Sequence, residues 1–248
     1  MEVNSVLVTG ANRGLGLEFV KQFLSLPNSP KHVFAGCRNP DKAEALHELQ
    51  KIHKNLTVIF IDLNDTSKLE ETVKVVQEKM GEGQGLNILL NNAAVACGDN
   101  LEKVNQESMI DNFRINALGP LMVSKAFLPL LRSAASRGGC LSVTNAAIIN
   151  ISTGVASITE NDSGGGYPYR TSKAALNMIT KNLSVDLKKD NILVAAVHPG
   201  WLKTDMGGTR ATMETDEMAR KLIDLMATFQ SEDYTGKLYH FSGRVMPF

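Results

Sequence analysis

The chain has 248 residues, room for a single large α/β domain. Lys plus Arg and Asp plus Glu number 26 each, so the net charge is zero and neither nucleic acid nor an anionic membrane is an expected partner. Three distant cysteines (Cys37, Cys97, Cys140), five scattered histidines, no CxxC and no HExxH argue against a disulfide framework or a metal site.

The first residues carry no basic region ahead of an apolar run, and no apolar run nears the ~20 residues that span a bilayer. The cytoplasm is therefore the expected location. Residues 3–8 are apolar and β-branched, and read as a buried strand. Gly10-Ala-Asn12-Arg13-Gly14-Leu15-Gly16 follows, then a helical periodicity over 15–26. A strand, a glycine turn and a helix together suit a phosphate, because the turn admits it closely and the helix end offers free N–H groups. The spacing departs from the usual dinucleotide fingerprint, so by itself the stretch reads equally as a plain strand-to-helix turn.

Residues 32–36 read as a second strand, ending in Gly36-Cys37-Arg38 with no acid to take ribose hydroxyls. Arg38 and Arg13 suit a 2′-phosphate instead, which points to NADP(H); the alternative is a solvated Arg38. A helix over 41–51, capped near Asn39 or Asp41, leads to a third strand, 56–61, ending at Asp62-Leu63. A helix from Asp65 to about residue 80 and a fourth strand, 86–90, lead to Asn91-Asn92-Ala93-Ala94. This alternation predicts a parallel sheet with helices on both faces, with ligands beyond the carboxyl ends of its strands. Each polar motif falls at such an end.

A long helical pattern covers 108–131, with Asn116 inside it and Pro120 four residues on. Proline removes the partner of the Asn116 carbonyl, giving either a tolerated kink or a carbonyl freed toward a site. Small residues over 133–142 read as a surface loop, 146–151 as a fifth strand ending in Ser152-Thr153, and 160–166 as a polar, glycine-rich segment. The helical segment 169–187 opens with Tyr169-Arg-Thr-Ser-Lys173. Tyr169 and Lys173 lie one turn apart on one face. A phenol ionises near ~10, and an adjacent ammonium pulls that down, so such a pair can act as a general acid and base. A sixth strand, 192–197, precedes His198-Pro199-Gly200-Trp-Leu202-Lys-Thr204. A helix over 213–229 and an edge strand over 238–241 complete an α/β chain of about seven strands.

TGANRGLG, Asp62-Leu63, NNAA, Asn116, the Ser/Thr pair before YRTSK, and PGWLKT, in this order, resemble the short-chain dehydrogenase/reductase family. The resemblance covers essentially the whole chain, and is greatest to the sniffer and C-factor-like carbonyl reductases. It implies one Rossmann-type, doubly wound domain, 1–248, with a substrate lid around 205–230. It also implies hydride transfer between NADP(H) and a carbonyl/alcohol pair. Tyr169 would be the proton donor, Lys173 would lower its pKa and hold the nicotinamide ribose, and Asn116 would hold a water linking Lys173 to solvent. A hydroxyl would meet the substrate oxygen: Thr153 by alignment, with Ser152 the close second where the family often has Ser-Ser. Gly10, Asn12, Arg13, Gly14, Leu15 and Gly16 would cradle the cofactor, and Arg13 with Arg38 its 2′-phosphate. Asp62 and Leu63 would flank the adenine, and Asn92 and Ala93 would line the crevice. Pro199, Gly200, Leu202 and Thr204 would approach the nicotinamide and phosphates. The resemblance further implies a homodimer or homotetramer paired through 108–131 and 167–187, while the Gly/Thr/Met-rich segment 205–216, with no charge cluster, suits a modest apolar ketone, aldehyde or quinone as substrate. The alternative on the same fold is a nucleotide-binding sensor or scaffold with weak or no turnover.

Overall fold

The computed structural model describes residues 1–248. In chain order the elements are β1 (Ser5–Thr9), α1 (Gly14–Leu24), β2 (His32–Cys37), α2 (Glu44–Ile52), β3 (Leu56–Phe60), α3 (Leu69–Met80) and β4 (Ile88–Asn91). Next come α4 (Gln106–Phe113), a π-helical turn (Arg114–Leu118), α5 (Gly119–Gly138), β5 (Ala147–Ile151) and α6 (Tyr167–Asp186). β6 (Leu193–His198), α7 (Thr215–Ala227), β7 (Leu238–His240) and β8 (Val245–Met246) close the fold.

All the strands join one sheet in the order β3-β2-β1-β4-β5-β6-β7-β8. The strands through β7 are parallel, and β8 runs antiparallel to β7. The expected edge strand is therefore internal. The true edge is a two-residue strand after a tight turn, too short to leave a periodic signal. The sheet has helices on both faces because its strands are apolar on both. On β1, Val6 and Val8 join the core under α1 and α7, while Leu7 joins the core under α3 and α5. The chain winds outward from β1 to β3 and returns on the other side at β4, which opens a crevice between β1 and β4.

Several expected boundaries move. The small residues after 132 are not all loop: α5 continues to Gly138 and stops at Gly139, whose backbone is left-handed (φ 68°). Neither Asn39 nor Asp41 caps α2: Asn39 precedes a short 3₁₀ turn, Pro40–Lys42, Asp41 lies within it, and Ala43 holds the N-cap position. The helix through Asn116 does not stop at Pro120. It passes through a π-helical turn, which absorbs the missing N–H by widening the backbone register. Of the expected lid, α7 is built into the core: Met218, Ala219, Leu222, Ile223 and Met226 are buried. Residues 205–210 form the open part.

Candidate active site

The carboxyl ends of β1, β4, β5 and β6 converge on the crevice, and each delivers one of the motifs read from the sequence. At β1 the glycine loop turns into α1, whose N-cap residue, Arg13, makes no side-chain cap. The first N–H groups of this helix are thus left for a ligand. Two glycines are required by their surroundings. A Cβ on Gly16 would strike the carbonyl oxygen of Gly10. Gly14 has φ +54°, and a Cβ there would sit 3.3 Å from the Thr204 methyl, across the crevice. Leu15 is buried in the core, so it presents only its backbone to the crevice, while Asn12 and Arg13 are exposed.

β4 is clasped to β1. The Thr9 hydroxyl accepts from the N–H groups of Asn92 (3.0 Å) and Ala93 (3.1 Å), and Asn92 Nδ2 donates to Thr9 O at 2.9 Å. Asn92 and Ala93 thus form the wall beside the glycine loop. Asn116 is fully buried in the π-helical turn. Its Oδ1 accepts from Val95 N at 2.9 Å, and its Nδ2 donates to Val95 O at 2.8 Å and Ser172 Oγ at 3.0 Å. The side chain is committed to pinning the segment after β4 against α6.

At β2 and β3, Arg38 is exposed and makes no ion pair. Arg13, expected with Arg38 at a 2′-phosphate, is paired with Asp205 at 2.6 Å, which links the glycine loop to the open segment after β6. Asp62 Oδ1 accepts from Asn64 N at 2.9 Å, and Leu63 packs into the core against Gly119. Beyond β6, Pro199 is buried, Gly200 has φ +82°, Leu202 is buried and bridges Met213, and the Thr204 hydroxyl accepts from Gly207 N at 3.1 Å.

The chain leaves β5 at Ile151 and turns into a 3₁₀ turn for which Thr153 is the N-cap. The turn sets the Thr153 hydroxyl, which accepts from Val155 N at 3.4 Å, beside the half-buried phenol of Tyr169. The Ser152 hydroxyl is engaged elsewhere, donating to Asn177 Oδ1 at 2.6 Å. Lys173, only 2 % exposed, donates from Nζ to the carbonyl of Ile151 at 2.7 Å. Tyr169, Lys173, Thr153 and Asn116 are thus gathered at one end of α6.

The electrostatics differ from the expectation in one respect. Burial pushes the Tyr169 phenol up to about 12, the hydrogen bond from Thr153 opposing it, and Lys173 does not counter the rise. Burial also pulls the Lys173 amine down to about 7. At neutral pH the lysine has shed much of the charge that would have lowered the phenol. The phenol therefore holds its proton and stands as an acid. His198, at the end of β6, is held down to about 4, first by burial and then by the charge of nearby His240.

The residues fit a nicotinamide dinucleotide: an uncapped helix start, a glycine turn with no room for side chains, and an unpaired arginine beside it. No helix is long and apolar enough to cross a membrane. What the sequence reading missed is the polar stripe along the buried face of α6, where Asn177 (2 % exposed) and Thr180 (0 %) follow Lys173. Its signal was the turn-by-turn recurrence of polar residues after Tyr169.

The chain as a whole is similar to several known proteins. The short chain dehydrogenase family model matches residues 4–215. The carbonyl reductase Sniffer of D. melanogaster is 39 % identical, with a TM-score of 0.96 over 100 % of both chains. An NADPH-bound carbonyl reductase from chicken fatty liver is 39 % identical, with a TM-score of 0.95 over 100 % of both chains. The C-signal protein of Myxococcus xanthus is 35 % identical over 167 residues, 65 % of this chain and 92 % of its own.

Proposed function

The chain belongs to the short-chain dehydrogenase family, and from that premise we propose that it is an NADPH-dependent reductase of small carbonyl compounds. The observation that carries the reading is the meeting of the Thr153 hydroxyl, a protonated Tyr169 and a buried Lys173 beside the glycine-loop crevice. When bound, NADPH supplies the hydride. The glycine loop, the start of α1 and Thr204 would hold its phosphates. Arg38 would take the 2′-phosphate, with Arg13 beside the glycine loop as a second cation.

The chain's own residues then do three things. Thr153 donates a hydrogen bond to the substrate carbonyl oxygen, where negative charge grows. Tyr169, kept protonated by its surroundings, passes its proton to that oxygen. Lys173, near its own pKa at neutral pH, restores a proton to the tyrosine. An apolar ketone, aldehyde or quinone suits the mouth, where Val155, Ile158, Trp201 and Met206 are exposed. A homodimer or homotetramer through α4, α5 and α6 is supported by exposed Ile110, Phe113, Leu118, Met178 and Val185. Free Cys37, Cys97 and Cys140 suit the cytoplasm.

The test is steady-state oxidation of NADPH and of NADH with diacetyl, phenanthrenequinone and simple aldehydes. Turnover with NADPH on at least one carbonyl is expected. Tight NADPH binding with no turnover on any of them would favour the sensor reading instead.

A further inference from the structure

Three consecutive residues at the end of β5, Asn150 to Ser152, are tied one by one to a single face of α6. Asn150 Nδ2 donates to Thr180 Oγ1 at 2.8 Å, Ile151 O accepts from Lys173 Nζ at 2.7 Å, and Ser152 Oγ donates to Asn177 Oδ1 at 2.6 Å. The next residue, Thr153, sets its hydroxyl beside the Tyr169 phenol. Asn150 is held from its other side, its Oδ1 accepting from Asn91 Nδ2 at 2.9 Å. The ladder is dry: Asn150, Ser152, Lys173, Asn177 and Thr180 are all at most 2 % exposed.

An apolar helix face can slide a fraction of an ångström over a sheet and re-form its contacts. Buried hydrogen bonds cannot, because their geometry is directional and an unmade one costs about 1–3 kcal/mol. The Ser152–Asn177 bond is the rung best placed to matter. Ser152 stands between Ile151, whose carbonyl holds Lys173, and Thr153, whose hydroxyl meets Tyr169. Asn177 lies one turn beyond Lys173 on the same helix face. Its Nδ2 has no hydrogen-bond partner, so Ser152 is its one side-chain anchor.

Resting on the reading above, we propose that Asn177 is a positioning residue for carbonyl reduction. Acting through Ser152, it holds the end of β5 at the height that sets Thr153 against Tyr169 and the Ile151 carbonyl against Lys173. Ser152 is then the hinge pin of the site, and the hydroxyl beside it, Thr153, meets the substrate.

The experiment uses the full chain with NADPH and phenanthrenequinone, in Asn177→Leu, Ser152→Ala and the double variant, with Tyr169→Phe as reference. Loosening the reacting groups by about 1 Å should lower kcat on the order of 100-fold in Asn177→Leu, with KM moving far less. The apparent pKa of the kcat profile should shift, because Lys173 loses its fixed distance to Ile151. Ser152→Ala, a small deletion, should reproduce the kcat loss and the pH shift more mildly. The double variant removes both polar partners together, which relieves the unpaired group and returns Tm toward wild type. Its kcat should remain low. A double variant that recovers kcat along with Tm would reduce the pair to structural stability and overturn the proposal. So would single variants with unaltered kcat beside an inactive Tyr169→Phe. Normal turnover in Tyr169→Phe would instead bring down the functional reading, and with it the proposal, whatever the Asn177 variants do.

Discussion

Exchange of Lys173 for methionine should stabilise the fold while abolishing turnover, and the gain should shrink as pH rises. The amine is buried with one protein acceptor, Ile151 O at 2.7 Å. Burial lowers its pKa from 10.5 to about 7. Between those values the unfolded chain binds a proton that the folded chain does not, so wild-type stability climbs with pH across this window. The electrostatic cost of Lys173 is then about 4 kcal/mol at pH 7, about 2 kcal/mol at pH 9 and about 1 kcal/mol at pH 10. Methionine fills much the same volume and carries none of it. It leaves the Ile151 carbonyl without its donor, a loss of about 1–3 kcal/mol that does not vary with pH. Urea unfolding of both proteins without cofactor, at the three pH values, gives the difference in stability at each. That difference should fall by about 3 kcal/mol from pH 7 to pH 10 in favour of the wild type. A difference that is flat with pH would refute the assignment of a desolvated amine at this position.

Other outcomes follow from the same geometry. His198 sits well below its ordinary 6.5, at about 4, so the folded chain resists protonation there. Stability should fall by about 3 kcal/mol as pH drops from 6.5 to 4, and His198→Gln should flatten that acid limb in a pH series of urea melts. Arg13→Ala with Arg38→Ala should weaken NADPH binding on the order of 100-fold and NADH binding little, as charge-assisted bonds to a 2′-phosphate are lost. Equal losses in fluorescence titrations would remove the basis for NADP preference. Thr153→Ser keeps the hydroxyl and should keep kcat, whereas Thr153→Val, nearly the same shape without the donor, should lose it by about 100-fold.

The motifs at the strand ends were legible because ligand chemistry demands particular residues there, and the alternation of strands and helices fixed where those ends lie. Gly16, with the Gly10 carbonyl against it, and Tyr169 four residues before Lys173 carry their reason in their spacing. Other features depend on contacts no local pattern encodes. Arg13 reads as a free cation, yet its partner Asp205 lies 192 residues away. Which of Ser152 and Thr153 faces Tyr169 is decided by the 3₁₀ turn that begins at Thr153. A lysine one turn away suggests a lowered phenol pKa, yet burial pushes the Tyr169 phenol up and the Lys173 amine down. That burial is set by the packing of α6 on β5. Asn177 and Thr180 look like residues of a solvated helix face, and only the sheet behind them makes them a ladder.

The central claim is that Tyr169 is the acid of a carbonyl reduction, and Tyr169→Phe tests it most directly. Phenylalanine keeps the ring and its packing and removes only the hydroxyl beside Thr153. With saturating NADPH and a quinone that the wild type reduces, kcat should fall by about 10²- to 10⁴-fold while NADPH still binds. Turnover near the wild-type rate would contradict the account.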